Sequence, residues 1–322
     1  MKILLPGFAL AAGIVLAVWE GRDATGTSVA PTAQTPAALP TSTAVAASAA
    51  DPAAAIFDRA KSELQRRRTI QARVRYQIDL FDQRLIGAGS YFQSGDAGEK
   101  KSRLELRMQM GDELIAWTEC CDGRFVWSAG ETGFGRQLSR LDLKRIRQKQ
   151  EQLRGVSSFT DGSPWLWAGV PKLLNELGAH FEWDRAKTGY FEPDNAAAWS
   201  MRGMMRKSSM TWLLPKQTAA VEAATTPGQF RAFPQQMPGC VSLYIQQDSY
   251  FPRRIEYRRP SQDKDDQTPP ERWPLCVVME FTDVVLDRDL DDSVFLFEPN
   301  KQEELLDTTD GMLQGLGLVD PK

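Results

Sequence analysis

Histidine is almost absent from this sequence, which holds one such residue among 322. A zinc site built from three imidazoles, or an iron site built from two, is therefore excluded. The sequence also lacks a Gly-x-Ser-x-Gly elbow, a Gly-x-x-x-x-Gly-Lys-Ser/Thr loop and a Gly-x-Gly-x-x-Gly turn that opens a helix. We predict no catalytic residue, no metal-binding residue and no cofactor.

An excess of charge of one sign is also missing, because 39 Lys+Arg face 42 Asp+Glu. A chain with this balance has no global positive field to attract nucleic acid, so no nucleic-acid partner is expected. With 42% hydrophobic and 25% charged residues, the composition fits a globular protein better than a disordered polymer or a multispan membrane protein.

The one long apolar run is at the N-terminus, where residues 3–19 carry no charged side chain. This run has the length of a long signal-peptide core and falls just short of the ~20 residues of a membrane-spanning helix. We predict a signal peptide or membrane anchor over residues 1–22. Val18, Trp19 and Glu20 stand where a small-x-small cleavage site would be, which favours a retained anchor.

The next segment, residues 23–51, is rich in Ala, Thr and Pro and has almost no large apolar residue. Such a segment cannot bury enough surface to offset its ordering entropy, so we predict a disordered linker. A linker behind an apolar N-terminus places the folded part outside the cytoplasm, in the periplasm or cell envelope, with membrane contact through the anchor.

A single folded domain is predicted over residues 52–310, with a C-terminal tail over 311–322. The domain opens with an amphipathic helix, and strand-period alternation follows, as in Val74, Tyr76 and Ile78 between polar residues. Helical patterns return over residues 140–153 and 163–177, and further strands follow. This order predicts an α+β fold of mainly antiparallel strands, in which a curved sheet has its concave face covered by the helices.

The chain resembles the LolA-like superfamily of outer-membrane lipoprotein carriers and periplasmic lipid-binding proteins. The segments that carry the resemblance are the opening helix 53–68, the strand pairs 72–80 with 102–110 and 250–257 with 279–286, the closing segment 292–299 and the trailing residues 306–309. The resemblance implies an incomplete β-barrel with a helical lid over an apolar cavity. It also implies a non-enzymatic carrier of lipid or lipoprotein acyl chains. An envelope sensor that binds a partner protein, as stress-signalling relatives do, is the alternative, and a carboxylate-dependent hydrolase is the third reading.

Methionine and aromatic side chains supply adaptable apolar surface of the kind that lines lipid pockets. An ordinary packed core is the alternative reading for each of them. The candidate cavity-lining residues are Met108, Met110, Trp165, Trp167, Leu173, Met204 and Met205.

Three polar features have competing interpretations. Asp287, Asp289 and Asp291 with Glu298 copy the spacing of a calcium loop, but Asp292 stands where the loop needs glycine, which favours a polar turn. His180, with Glu182 and Asp184 nearby in sequence, is expected to be a structural hydrogen-bonding residue, with a catalytic role as the alternative. The basic residues 140–154 indicate a surface helix, with contact to anionic lipid headgroups as the alternative.

The four cysteines allow three pairings. Cys120 and Cys121 are adjacent in sequence and point to opposite faces of a strand, whereas Cys240 and Cys276 each open a predicted strand. For an exported protein we therefore predict one disulfide, between Cys240 and Cys276.

Overall fold

The computed structural model describes the chain from Ala53 to Leu318, apart from residues 81–82, 96–99, 133–134, 154–168, 193, 225–236, 261–267, 300–302 and 316–317. The predicted anchor and linker lie outside the described residues. Within the described part, no helix combines the length and the apolar character that crossing a membrane requires.

Twelve strands and six α-helices make up the described fold. The strands are β1 Thr69–Leu80, β2 Gln83–Ser94, β3 Lys101–Met110, β4 Glu113–Cys121, β5 Phe125–Thr132, β6 Gly135–Asp142, β7 Phe181–Phe191, β8 Ala196–Met205, β9 Cys240–Gln246, β10 Pro252–Arg258, β11 Leu275–Leu286 and β12 Leu305–Asp307. The helices are α1 Ala53–Arg66, α2 Leu143–Leu153, α3 Gly169–His180, α4 Lys207–Leu213, α5 Thr218–Ala223 and α6 Thr309–Gly315.

All twelve strands belong to one sheet, in the order β12-β6-β5-β4-β3-β2-β1-β11-β10-β9-β8-β7. Neighbouring strands are antiparallel except β12, which runs parallel to β6. Among the described residues β7 and β12 do not pair with each other, so the sheet stays open. The predicted fold class, a mainly antiparallel open sheet with a few helices, is confirmed.

The two faces of the sheet differ because side chains alternate along each strand. In β1, Val74, Tyr76 and Ile78 are buried while Arg73 and Arg75 are exposed. We call the face that carries Val74, Tyr76 and Ile78 the inner face. The register continues it into the neighbouring strands through Met279, Phe281, Ile255, Tyr257, Leu243, Val241 and Met201.

Helices α1 and α3 contribute to the same apolar core as the inner face. Ile56, Ala60 and Leu64 are spaced four residues apart on α1 and are all buried. Leu173, Leu174 and Leu177 are fully buried on α3. The predicted opening helix is therefore present, and α3 overlaps the predicted helix 163–177, whose first six residues lie outside the described ranges.

The start of α3 is fixed by a side chain from the sheet. Gln93 is fully buried on β2, and its Oε1 accepts hydrogen bonds from the backbone N–H of Val170 at 2.9 Å and from the hydroxyl of Tyr91 at 2.8 Å. Gly169 has φ +75° and lies so close to Gln93 that a Cβ would stand 1.9 Å from Oε1. Only glycine permits this approach, so the sequence places α3 on the sheet at a defined point.

The predicted disulfide is wrong in this structure, where Cys240 and Cys276 are free thiols. Their strands, β9 and β11, both pair with β10 and are therefore two strands apart. Strands at that separation lie roughly 9–10 Å apart, beyond the reach of a disulfide. The Cys276 thiol donates a hydrogen bond to the Tyr257 carbonyl at 3.1 Å instead.

The calcium-like spacing forms a polar turn. Asp287 accepts hydrogen bonds from Arg67 and from the backbone of Arg68, and Asp291 accepts one from the backbone of Ser293. Within the described ranges no three His, Cys, Asp or Glu side chains come together as metal ligands would.

The apolar core continues beyond Asp310. Leu313 on α6 and Leu318 are both buried in it, although the sequence predicts a tail from residue 311.

Candidate functional site

The predicted cavity-lining residues fall into three groups. Met108, Leu173 and Met205 are buried in the core between the inner face and the helices. Met108 lies over Gly87 of β2, where a Cβ would come within 2.5 Å of its Cγ, so this methionine fills the space left by a missing side chain. These three residues are thus held within tight packing.

Met204 has the opposite orientation. It is paired with Glu182 on β7 and with Cys240 on β9, on the outer face, while its neighbour Met205 points inward. Adjacent strand residues face opposite sides, so Met204 and Met205 cannot line one cavity, and Met204 is removed from the candidate set. Trp165, Trp167 and the side chain of Met110 lie outside the described residues.

The structure instead forms two aromatic pairs, Phe57 with Trp183 and Trp199 with Tyr250, and helix α1 reaches both, through Phe57 itself and through Arg59 over the Tyr250 ring. The ring centroids of Phe57 and Trp183 are 4.5 Å apart, and those of Trp199 and Tyr250 are 5.1 Å apart. We call these four residues the aromatic seam. Trp183, Trp199 and Tyr250 are only partly buried against the core, so the seam lies at the margin of the core.

Glycines allow the seam to pack closely. A Cβ at Gly203 on β8 would lie 3.0 Å from Cζ3 of Trp183, and one at Gly178 on α3 would lie 2.8 Å from Cε1 of Phe57. Between the two aromatic pairs, Met201 of β8 faces Ala186 of β7. The seam therefore continues as an apolar strip along the inner face of β8.

One polar group in the seam has no partner. Nε1 of Trp183 is buried and has no hydrogen-bond acceptor among the described residues. Nε1 of Trp117, on the inner face of β4, is likewise buried and has no acceptor among them. A buried donor without an acceptor costs roughly 1–3 kcal/mol. A bound carbonyl or carboxylate oxygen would remove that cost.

Cations stand at the rim of the seam. The guanidinium of Arg59 on α1 lies 4.6 Å from the ring centroid of Tyr250, and Nζ of Lys61 lies 5.9 Å from that of Phe57. Tyr250 adopts φ +57°, a left-handed conformation that is strained for a bulky residue. The turn between β9 and β10 thus holds an aromatic ring under a cation of the covering helix.

The aromatic seam was not predicted from the sequence. Trp183 and Trp199 lie on strands separated by a turn, and period-2 alternation of Trp199, Met201 and Gly203 was the available signal. The pairing of Trp183 with Phe57 joins residues far apart in the chain, which a local pattern cannot show.

The titratable side chains considered from the sequence form structural contacts or have pKa values unsuited to acid–base chemistry. Nδ1 of His180 lies 3.1 Å from Oγ of Ser209, and burial lowers the pKa of the imidazole. Asp184, close to His180 in sequence, forms a salt bridge with Arg202. Burial also raises the pKa of Cys240 and Cys276 to about 12, so neither is a thiolate at neutral pH.

Two arginines of α2, the predicted basic helix, form contacts within the protein. Leu143 and Ile146 are buried, Arg145 forms a salt bridge with Asp310 at 2.6 Å, and Arg147 donates to the Gly123 carbonyl at 3.2 Å. This arrangement fits the surface-helix interpretation.

Comparison with known proteins found likenesses to solved structures only; no family model and no curated protein matches the sequence. An uncharacterized conserved protein from Thermus thermophilus is 12% identical, with a TM-score of 0.36, over 79% of this chain and 98% of that one. MucB is 12% identical, with a TM-score of 0.39, over 76% of this chain and 62% of that one. A LolA superfamily protein from Nitrosomonas europaea is 11% identical, with a TM-score of 0.25, over 77% of this chain and 99% of that one. Likenesses this distant carry no statement about what this chain binds.

Proposed function

We propose that this protein is an extracytoplasmic, non-enzymatic binder of the acyl chain of a lipid or lipoprotein, held between the inner face of the sheet and helix α1. The observation that carries the proposal is the aromatic seam, where the indole N–H of Trp183 is buried without an acceptor among the described residues. An acyl chain supplies apolar surface for the seam, and its carboxyl or ester oxygen supplies the acceptor.

The rim of the seam supports an anionic head group. Arg59 is exposed beside Tyr250, and Lys61 lies beside Phe57, where it also contacts Asp58 at 3.6 Å. A ligand with a long apolar tail and a negatively charged head would bind with its tail in the seam and its head beside these cations.

Lipid extraction tests the proposal. The full chain is purified from a membrane-containing host, its bound lipids are extracted and identified, and the emptied protein is titrated with cis-parinaric acid, whose fluorescence reports transfer from tryptophan. Stoichiometric lipid and saturable probe binding that palmitate displaces are expected. A protein that carries no lipid and shows no saturable probe binding would contradict the proposal.

A partner protein is the second candidate, because β7 is an 11-residue strand at the edge of the sheet, and no other strand of the described ranges pairs with its outer side. An extended segment of a partner can add to such an edge through backbone hydrogen bonds. A stoichiometric envelope partner that slows amide exchange within residues 181–191 would support this candidate, whereas slowed exchange confined to other elements would contradict it.

A further inference from the structure

Trp212 is a large apolar side chain that lies at the surface of the described fold. Its side chain is 67% exposed on α4, whereas Met210 and Leu213 on the same helix are buried in the core. Helix α4 therefore has one face in the core and presents an indole to the solvent on the other. An indole this exposed does not contribute the favourable free energy that burying its large apolar surface in the core would give.

The sequence around Trp212 carries more basic than acidic residues. Residues 206–224, from the N-cap of α4 to the C-cap of α5, contain Arg206, Lys207 and Lys216 and a single acidic residue, Glu222. Nζ of Lys207 donates a hydrogen bond to the Glu222 backbone carbonyl at 3.3 Å. Lys207 and Lys216 are both exposed. We call Trp212, Lys207 and Lys216 the tryptophan patch.

The indole of Trp212 packs against the ring of His180. The ring of His180, at the end of α3, stacks on Trp212 with centroids 6.4 Å apart, and Nδ1 of His180 lies 3.1 Å from Oγ of the buried Ser209. A side chain held in this way loses little rotamer freedom when its exposed face binds a partner.

We propose that the tryptophan patch is a docking surface for an anionic lipid membrane. Tryptophan is suited to the boundary between headgroups and acyl chains because its ring is amphipathic, and basic residues beside it are attracted to anionic headgroups. The tryptophan patch shares no residue with the aromatic seam, so this proposal does not depend on what the seam binds.

Local amide exchange in the full chain tests the proposal, since a readout confined to residues 207–216 separates the patch from any binding through the N-terminal segment. The full chain is reconstituted in vesicles of phosphatidylcholine alone or with one third phosphatidylglycerol. Exchange over residues 207–216 is expected to slow in the anionic vesicles only and to recover at high salt. Equal exchange in the two kinds of vesicle would overturn the proposal.

Variants identify the side chains responsible. W212A is expected to abolish the slowed exchange. K207Q/K216Q is expected to weaken the patch contact about 25-fold, since each basic residue near an anionic surface contributes roughly a fivefold factor. L114A removes another exposed apolar side chain, 75% exposed on β4, and is expected to change nothing. Slowed exchange that appears without vesicles as protein concentration rises would overturn the proposal in favour of a contact between copies of this chain.

Discussion

Asp287 joins the end of helix α1 to the end of strand β11 through Arg67. Its Oδ2 accepts a hydrogen bond from Nη1 of Arg67 at 2.8 Å, and its Oδ1 accepts one from the backbone N–H of Arg68 at 2.9 Å. Asp287 itself adopts φ +58°, and its N–H donates to the Thr69 carbonyl at 3.0 Å. One carboxylate thus sets where the covering helix stops and where β1 begins.

Replacing Asp287 is expected to loosen α1. D287N keeps a residue that tolerates left-handed backbone but loses the charge, and we expect a loss of ~1 kcal/mol in the free energy of unfolding. D287A removes both acceptors and is expected to cost more. Urea unfolding measures both variants, with D289N at the exposed neighbouring aspartate as the control. Equal midpoints for D287A and D289N would show that the contact does not hold the helix.

Acid is expected to weaken the protein through two carboxylates. The hydrogen bonds from Thr309 and from Arg140 lower the pKa of Asp307 to about 2. Burial alone would raise the pKa of Asp287, but the hydrogen bonds from Arg67 and Arg68 lower it. Because both groups are more acidic in the folded chain, their stabilisation is complete above the unfolded pKa of about 4 and is lost as the pH falls towards the folded values.

Urea midpoints at pH 6 and pH 3 measure this dependence. D307N is expected to narrow the difference between the two midpoints, because the amide does not titrate. A difference as wide as that of the unsubstituted protein would exclude Asp307 as a contributor.

Gly203 is expected to be required for the seam. A Cβ there would stand 3.0 Å from Trp183, 3.0 Å from Val241 and 3.1 Å from Phe181, so G203A forces several neighbours to shift at a cost of roughly 1–3 kcal/mol. The matched control is G189A on β7, where a Cβ would meet nothing within 4 Å. Thermal unfolding of the two variants checks the difference, and similar midpoints would mean that the seam adapts.

Replacing Trp183 by phenylalanine is expected to change ligand affinity more than it changes the stability of the unliganded protein. W183F removes an N–H that has no acceptor among the described residues, which offsets part of the packing lost with the larger ring, so the free energy of unfolding of the unliganded protein should fall only slightly. If a ligand oxygen accepts from this N–H, affinity for cis-parinaric acid should fall about 2–10-fold. W127F is the control, since Trp127 stacks on Phe297 with centroids 5.6 Å apart on the outer face. Unchanged affinity in W183F would remove the indole from the proposed site.

All four cysteines are expected to be alkylated when the protein is unfolded without reductant. In the native protein they should react slowly, because each thiol is buried and burial raises its pKa, to about 11 for Cys120 and about 12 for the other three. Intact mass after iodoacetamide treatment counts the modified thiols. Only two modified thiols in the unreduced, unfolded chain would restore the disulfide hypothesis.

The opening helix and the alternation of β1 could be predicted because both depend on residues close in sequence. The spacing of Ile56, Ala60 and Leu64 and the alternation of Val74, Tyr76 and Ile78 reveal which side of each element is apolar. The same alternation separates Met204 from Met205, which the predicted cavity set overlooked. The disulfide could not be judged in this way, because strand order decides which cysteines are neighbours, and β10 lies between the two strands concerned.

The sequence by itself determined the alternating strands and the apolar helix faces, because these follow from the covalent periodicity of the backbone. It also excluded multi-histidine metal chemistry, because the residues are not there. Only the tertiary structure decided that Phe57 meets Trp183, that Gly203 makes room for its ring, and that Trp212 stays at the surface. Each of these depends on strand register and helix placement, which are set by packing between residues distant in the chain.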